Sequence, residues 1–187
     1  MRHPVISRVQ IILLLCAFSA LSVALAQPLG GAFSLTDDQG NEFRLQQLQG
    51  KIVLLFFGYT SCPDVCPREL GIMAQVLQRF RHQQSAVHGV FVTVDPQRDN
   101  IKKLHQYVSF FSDNLTGLTG TPDQINAVAE QYSVYYKVDR DAAGKVSVEH
   151  TSQLYIIDQY GKLQAIVPFG LGVGHITNLI GGLLQAQ

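Results

Sequence analysis

The chain contains no tryptophan, two methionines and only three cysteines in 187 residues. So few cysteines exclude a small domain held together by many disulfides, and each one has to be accounted for singly. Charge is also scarce. Acidic and basic residues together make up 15%, and 14 of each sign cancel to a formal net charge of zero. With no basic field to draw it onto a phosphate backbone, the chain is not a bulk nucleic-acid binder. A hydrophobic content of 47% excludes a disordered chain. The length suits one domain and leaves no room for two of ordinary size. No repeat, linker or low-complexity stretch divides it.

What is present begins at the N-terminus. Arg2 and Arg8 flank a short basic region, and Ile11 to Ala26 follow without a charge, ending on Ala24-Leu25-Ala26 ahead of Gln27-Pro28. This is the pattern of a secretory signal with a small-x-small cleavage site, giving residues 1–26 as signal peptide and 27–187 as the mature domain. An uncleaved anchor is the alternative, because sixteen to eighteen apolar residues reach the short edge of what crosses a bilayer of about 30 Å. Either reading places the domain outside the cytoplasm, in the bacterial periplasm, tethered or not to the inner membrane. Cys16 follows Leu15 inside the apolar run and not a small residue after it, which argues against a lipoprotein. The mature part keeps Cys62 and Cys66 in an oxidising compartment.

Along the mature chain, Phe33 to Leu35 and Glu42 to Leu45 read as a hairpin around the turn Asp37-Asp38-Gln39-Gly40-Asn41. Lys51 to Gly58 is an unbroken apolar run, as expected of a strand buried on both faces. Leu70, Met73, Leu77 and Phe80 recur at helical spacing from Pro67 to about His82, and Val87 to Val94 reads as the next strand. Helices are expected over Asn100 to Phe111 and Pro122 to Tyr132, with a short strand at Leu115 to Leu118. Val146 to Val148, Leu154 to Asp158 and Leu163 to Val167 read as strands, the last two joined at Gln159-Tyr160-Gly161, and a helix from His175 to Leu184 closes the chain. The order implies an α/β, thioredoxin-like fold with an N-terminal β-hairpin and an antiparallel strand pair before the last helix.

The chemistry lies in Gly58-Tyr59-Thr60-Ser61-Cys62-Pro63-Asp64-Val65-Cys66-Pro67. Both thiols fall where a buried strand gives way to a helix, the place where open α/β sheets bind ligands, and helix N-terminal amides favour the thiolate. If the segment is helical, four residues of separation bring both sulfurs to one face with alpha carbons about 6 Å apart at 1.5 Å per residue, close enough to share a metal or to close a disulfide. A structural staple is disfavoured, because so short a loop constrains the unfolded chain by only about 2 kcal/mol. Reversible dithiol chemistry and a soft-metal site remain. Two thiolates suit Cu(I), whereas zinc ordinarily takes four ligands. Among the histidines, His82 and His88 flank a helix-to-strand connection and His105 lies in a polar helix, which makes all three surface residues. His150, in Glu149-His150-Thr151-Ser152 just before a strand, faces the cysteine turn in a thioredoxin-like sheet and is the candidate third ligand.

Phe57-Gly58-Tyr59 with Cys62-Pro63-Asp64-Val65-Cys66-Pro67, Val92-Thr93-Val94-Asp95-Pro96-Gln97-Arg98-Asp99, Gly117-Leu118-Thr119-Gly120 and Val148-Glu149-His150-Thr151 before Tyr155-Ile156-Ile157-Asp158 closely resemble the Sco/SenC copper-chaperone family. The resemblance runs from about Phe33 to Gly170. It implies copper, as Cu(I) and also Cu(II), bound by Cys62, Cys66 and His150. It implies service to the binuclear copper site in the copper-bearing subunit of cytochrome c oxidase, by donating copper or reducing the thiols of that site. A periplasmic copper donor or thiol reductant would be the other partner, and the protein would be a metallochaperone and not an enzyme. Relatives commonly have Asp-His where this chain has Glu149-His150, and charged residues where it has the neutral stretch Gly170 to His175. His175 as an auxiliary ligand is the weaker reading beside a surface histidine. Asp95 and Asp99 read as turn and helix-cap residues, with Asp95 a candidate support for the ligands. The competing function is a thiol-disulfide oxidoreductase. Such reductases resemble one another in spacing their cysteines by two residues and in placing a cis-proline about where this chain has Ser152, and this chain departs from both. Tyr59-Thr60-Ser61-Cys62 also suggests a peroxiredoxin-like peroxidase, which nothing else in the motif favours.

Overall fold

Seven successive residues without a charge have no polar face to turn to water, and the strand they form, β3 (Ile52–Gly58), is buried along its whole length. The computed structural model describes residues 28–81, 86–141 and 146–185. Strands β1 (Ser34–Asp37) and β2 (Glu42–Arg44) form the expected hairpin, followed by a 3-10 turn at Leu45–Leu48 that the sequence reading did not anticipate. Its Leu45 and Leu48 plug the core while its glutamines face out, too short a pattern to signal a helix in sequence.

Beyond β3 come α1 (Val65–Arg79), β4 (Val87–Thr93), α2 (Ile101–Phe111), β5 (Leu115–Thr119) and α3 (Pro122–Gln131). Next are β6 (Tyr136–Arg140), β7 (Val146–His150), β8 (Gln153–Ile157), β9 (Leu163–Pro168) and α4 (Val173–Gln185). Seven strands make one sheet in the order β2-β1-β5-β4-β3-β8-β9. β3 runs parallel to β4, pairing Ile52 with Val87 through Gly58 with Thr93, and antiparallel to β8. α1 packs on β4, α2 and α4, and α2 packs on β5. This is the thioredoxin-like α/β arrangement expected, four α-helices among the described residues included.

Two caps fix the helix starts. The Asn100 side chain accepts from the Lys103 N–H at 2.9 Å. Thr121 accepts from the Gln124 N–H, with Pro122 in the first turn. Asn100 is thus the cap of α2, and the expectation that Asp99 caps it is corrected. α1 begins two residues earlier than expected, placing Cys66 inside the helix, and ends at Arg79. His82 and the N-terminal segment 1–27 lie outside the described residues.

The larger departure is β6, which pairs with β7 in a separate two-stranded sheet, Tyr136 opposite His150. Tyr-Lys-Val-Asp-Arg alternates apolar and charged side chains, and neither strand contains a fully buried residue. Such a ribbon is defined by its partner strand more than by its own hydrophobicity.

Candidate metal centre

Gly58 ends β3, and a methyl group there would come within 2.8 Å of the Cys66 sulfur and 2.9 Å of the Phe91 ring. Only glycine lets α1 bring that sulfur down onto the strand end. Cys62 precedes the helix and Cys66 lies in its first turn, with the Cys66 N–H donating to the Cys62 sulfur at 3.4 Å. Both thiols are free. His150, the last residue of β7, brings Nε2 to 3.6 Å from the Cys66 sulfur. The two sulfurs and one imidazole nitrogen lie within 4.8 Å of one another, so three residues, with His150 84 positions beyond Cys66 in sequence, form one cluster.

The imidazole is set for ligation by the bond on its far side. Nδ1 lies 3.0 Å from the Thr151 carbonyl oxygen. A carbonyl only accepts, so Nδ1 carries the proton and Nε2 presents its lone pair to the sulfurs. Burial lowers the His150 pKa against a smaller opposing effect of that carbonyl, which keeps the ring neutral. The edges of Phe56 and Tyr59 hold the ring, at 6.2 and 5.9 Å between centroids.

The thiols are unequal. Burial works to raise the Cys62 pKa, but hydrogen bonds from the Cys66 and Asp64 N–H groups, the Cys66 thiol and the Tyr59 hydroxyl outweigh it and leave the pKa below the ordinary value. Cys66 is fully buried, and burial pushes its thiol far up. Tyr59, raised to about 12 by burial and then by Cys62, remains a hydroxyl donor. The pair therefore offers one accessible, thiolate-prone sulfur and one protonated, sealed sulfur.

Beneath the cysteine turn lies a carboxylate that sequence reasoning cast only as a cap. Asp99 is buried and accepts from the Thr60 N–H at 2.8 Å, the Thr60 hydroxyl, the Thr93 hydroxyl at 2.7 Å and Lys103 Nζ at 3.1 Å. Two donors per oxygen fill the carboxylate and pin the loop to β4 and α2. Lys103 also reaches the Ser61 hydroxyl at 2.9 Å. Asp95 pairs with Arg98, whose guanidinium lies 6.0 Å from the centre of the Tyr59 ring, so it touches the ligands only through two intermediaries. The Asp-Pro-x-Arg-Asp motif carried this signal, but nothing in sequence distance links residue 99 to residue 60.

Among the described residues no other histidine joins the cluster. His175 is exposed in the first turn of α4. His88 is a correction. It lies half-buried in β4, with Nδ1 at 2.7 Å from Asn114 and Nε2 at 2.9 Å from the Thr116 hydroxyl. A strand position beside β5 and two local partners took it out of water. His105 is half-exposed but forms a 2.7 Å pair with buried Asp38, tying α2 to the first hairpin.

A thioredoxin-like sheet that presents two thiols and an imidazole at one end defines a dithiol domain equipped for a soft metal ion. The chain belongs to the SCO1/SenC family, whose model matches residues 22–185. Protein SCO1 homolog 1, mitochondrial, of Arabidopsis thaliana is 38% identical over 130 residues, which are 69% of this chain and 39% of that protein. The first curated relatives are spanned over 39 to 66% of their length. The crystal structure of Arabidopsis thaliana ScoI with copper bound superposes with a TM-score of 0.78 at 32% identity, covering 85% of this chain and 99% of that one. Bradyrhizobium japonicum ScoI with copper bound gives 0.76 at 34% identity, covering 83% and 99%.

Proposed function

We propose that this protein is a copper-binding metallochaperone in which Cys62, Cys66 and His150 hold copper as cargo for the binuclear copper site of cytochrome c oxidase. The observation that carries the reading is the meeting of two sulfurs and an unprotonated Nε2 within 4.8 Å. Two thiolates and a neutral imidazole match Cu(I), a soft ion, and give hard cations such as Mg²⁺ no oxygen ligand. Cu(II) is the second form such a donor set accommodates. The copper-bearing subunit of the oxidase is the recipient, and a periplasmic copper donor or thiol reductant loads or resets the site. Residues 1–26 export the domain, as a cleaved signal or a retained inner-membrane anchor, and 27–187 work in the periplasm. Among the described residues no helix is long and apolar enough to cross a membrane.

The inequality of the thiols supports a second capacity, reduction of a target disulfide. The Cys62 thiolate attacks one sulfur of the target and expels the other as a thiolate. Cys66 then loses its proton and attacks Cys62, closing the Cys62–Cys66 disulfide and releasing the target reduced by two electrons.

Replacing His150 separates the two. In His150→Ala, copper binding to the reduced domain, titrated anaerobically against a Cu(I) chelator, weakens by more than about 100-fold, the upper range for losses around a metal site. Turnover of a model disulfide stays near wild type. Retained copper affinity with lost disulfide turnover would replace the chaperone reading by the oxidoreductase one.

A further inference from the structure

The Arg98 guanidinium is held in an orientation that wastes one of its donors. Nε donates to Asp95, Nη2 is sealed from water and makes no hydrogen bond, and the central carbon lies 6.0 Å from the centre of the Tyr59 ring. A buried donor left unpaired costs free energy, so an arrangement that keeps it unpaired needs a reason. The turn that carries the side chain is tightly set. Asp95 is buried, its N–H donates to the Thr93 hydroxyl at 3.0 Å, and its carbonyl accepts from the Arg98 and Asp99 N–H groups at 3.1 and 3.0 Å. The ion pair with Asp95 then lays the guanidinium against Tyr59.

Tyr59 is the residue that needs a support. It follows Gly58, the last residue of β3, so the strand pairing that fixes Phe56 ends before it. The His150 ring meets both of these rings edge to face, at 6.2 Å and 71° from Phe56 and at 5.9 Å and 87° from Tyr59. His150 itself ends a ribbon outside the main sheet. Along β6 a cleft of about 290 Å³ opens between Tyr136 and Val138 on the ribbon and Asp95 and Pro96 on the turn. Past that cleft, Arg98, Tyr59 and His150 form a continuous stack from the turn to the imidazole.

We infer that Arg98 is a positioning residue for His150: its guanidinium, aimed by Asp95, braces the Tyr59 ring, and that ring holds the imidazole with Nε2 toward the two sulfurs. The inference rests on the ligand set proposed above and adds to it a residue that touches none of the ligands. A planar guanidinium suits the task, because it lies on an aromatic face while keeping its bond to a carboxylate, whereas a lysine ammonium is a point charge.

Arg98→Lys keeps the charge and removes the plane. In the metal-free, reduced protein the His150 imidazole proton signals are compared by NMR with those of exposed His175. The two neighbouring rings displace the His150 signals in the wild type, and in the variant they move toward the His175 positions. Cu(I) affinity, read by chelator competition, falls about two- to fivefold, the equivalent of one cation–π contact. The same substitution made in His150→Ala leaves the affinity of that background unchanged, because Arg98 acts through the imidazole. A general loosening of the fold would weaken both backgrounds alike. Unmoved His150 signals, wild-type affinity in Arg98→Lys, or an equal further loss in the His150→Ala background each overturns the inference and leaves the copper reading intact. A wild type that holds no copper overturns the ligand set and this inference with it.

Discussion

The two halves of the candidate metal centre are built differently. Cys62 and Cys66 stand on the junction of β3 and α1, where the strand is wholly buried and Asp99 ties the turn to the neighbouring elements. His150 hangs on the β6–β7 ribbon, outside the main sheet and without a fully buried residue in either strand. Two-stranded ribbons are marginal alone. Its strands are tied to each other at the base by the Thr151 N–H to the Tyr135 carbonyl at 2.9 Å and the Tyr135 N–H to the Thr151 hydroxyl at 3.1 Å, and the Tyr136 hydroxyl donates to Asn126 on α3. One half of the site is therefore fixed by the core, and the other stands on a ribbon with little buried surface of its own.

Removing a fixed ligand gives the largest effect. Cys66→Ser abolishes tight Cu(I) binding, a loss above about 100-fold that exceeds what partners around a ligand contribute. Stoichiometric copper retained by this variant against a strong chelator would mean the cluster is not the site.

Next comes the support of the cysteine half. Asp99→Ala leaves the Thr93 hydroxyl buried and frees the Thr60 turn, so denaturant unfolding shows a loss of about 2 kcal/mol. If stability is unchanged, the cysteine turn is not held by this carboxylate and the contrast between the halves collapses.

A smaller effect tests the ribbon. Tyr136→Phe cuts one anchor, so amide exchange in β6 and β7 quickens by up to about fivefold, equivalent to about 1 kcal/mol, while β3 and α1 amides keep their rates. Equal acceleration in both regions would mean the halves open together.

The pH profile joins the two halves. Cys66 stays protonated well above neutrality, so ligation expels at least one proton, and apparent Cu(I) affinity rises at least about tenfold per pH unit between 6.5 and 8. Burial lowers the His150 pKa, so the steeper fall that marks imidazole protonation begins below the ordinary histidine value of about 6.5. The same shift has a sign for stability. The unfolded chain takes up the proton first, so His150 destabilises the fold as pH drops through and below that value. A break at about pH 6.5, the ordinary histidine value, would place the ring in water.

Closing the Cys62–Cys66 disulfide moves the denaturation midpoint by no more than its short loop allows, about 2 kcal/mol against nearly 5 for a long loop. A difference of several kcal/mol would make the bond a staple.

The core-built half was the legible one. The apolar run 52–58, the helical spacing of Leu70, Met73 and Leu77, and the cysteine motif between them gave β3, α1 and both sulfurs, because each is a local pattern. The ribbon was half-read. Val146 to Val148 signalled a strand, but β6 hid among charges, and His150 was singled out by its place before β8 and by resemblance. His88 was misread because its position beside a connection said surface, whereas the β4 register turned it onto Asn114 and Thr116.

Sequence alone determined which side chains can do the chemistry and where the strand-to-helix junction places two of them, since thiol spacing and hydrophobic periodicity act over a few residues. Only the tertiary structure decided that His150 meets Cys66 across 84 positions, that Asp99 underlies the cysteine turn, that the thiols differ in acidity and that Arg98 reaches the Tyr59 ring. The physical reason is that burial, hydrogen-bond satisfaction and electrostatic fields depend on which distant residues share the same few ångströms, and the pairing of strands across the sheet settles that only when the chain has closed on itself.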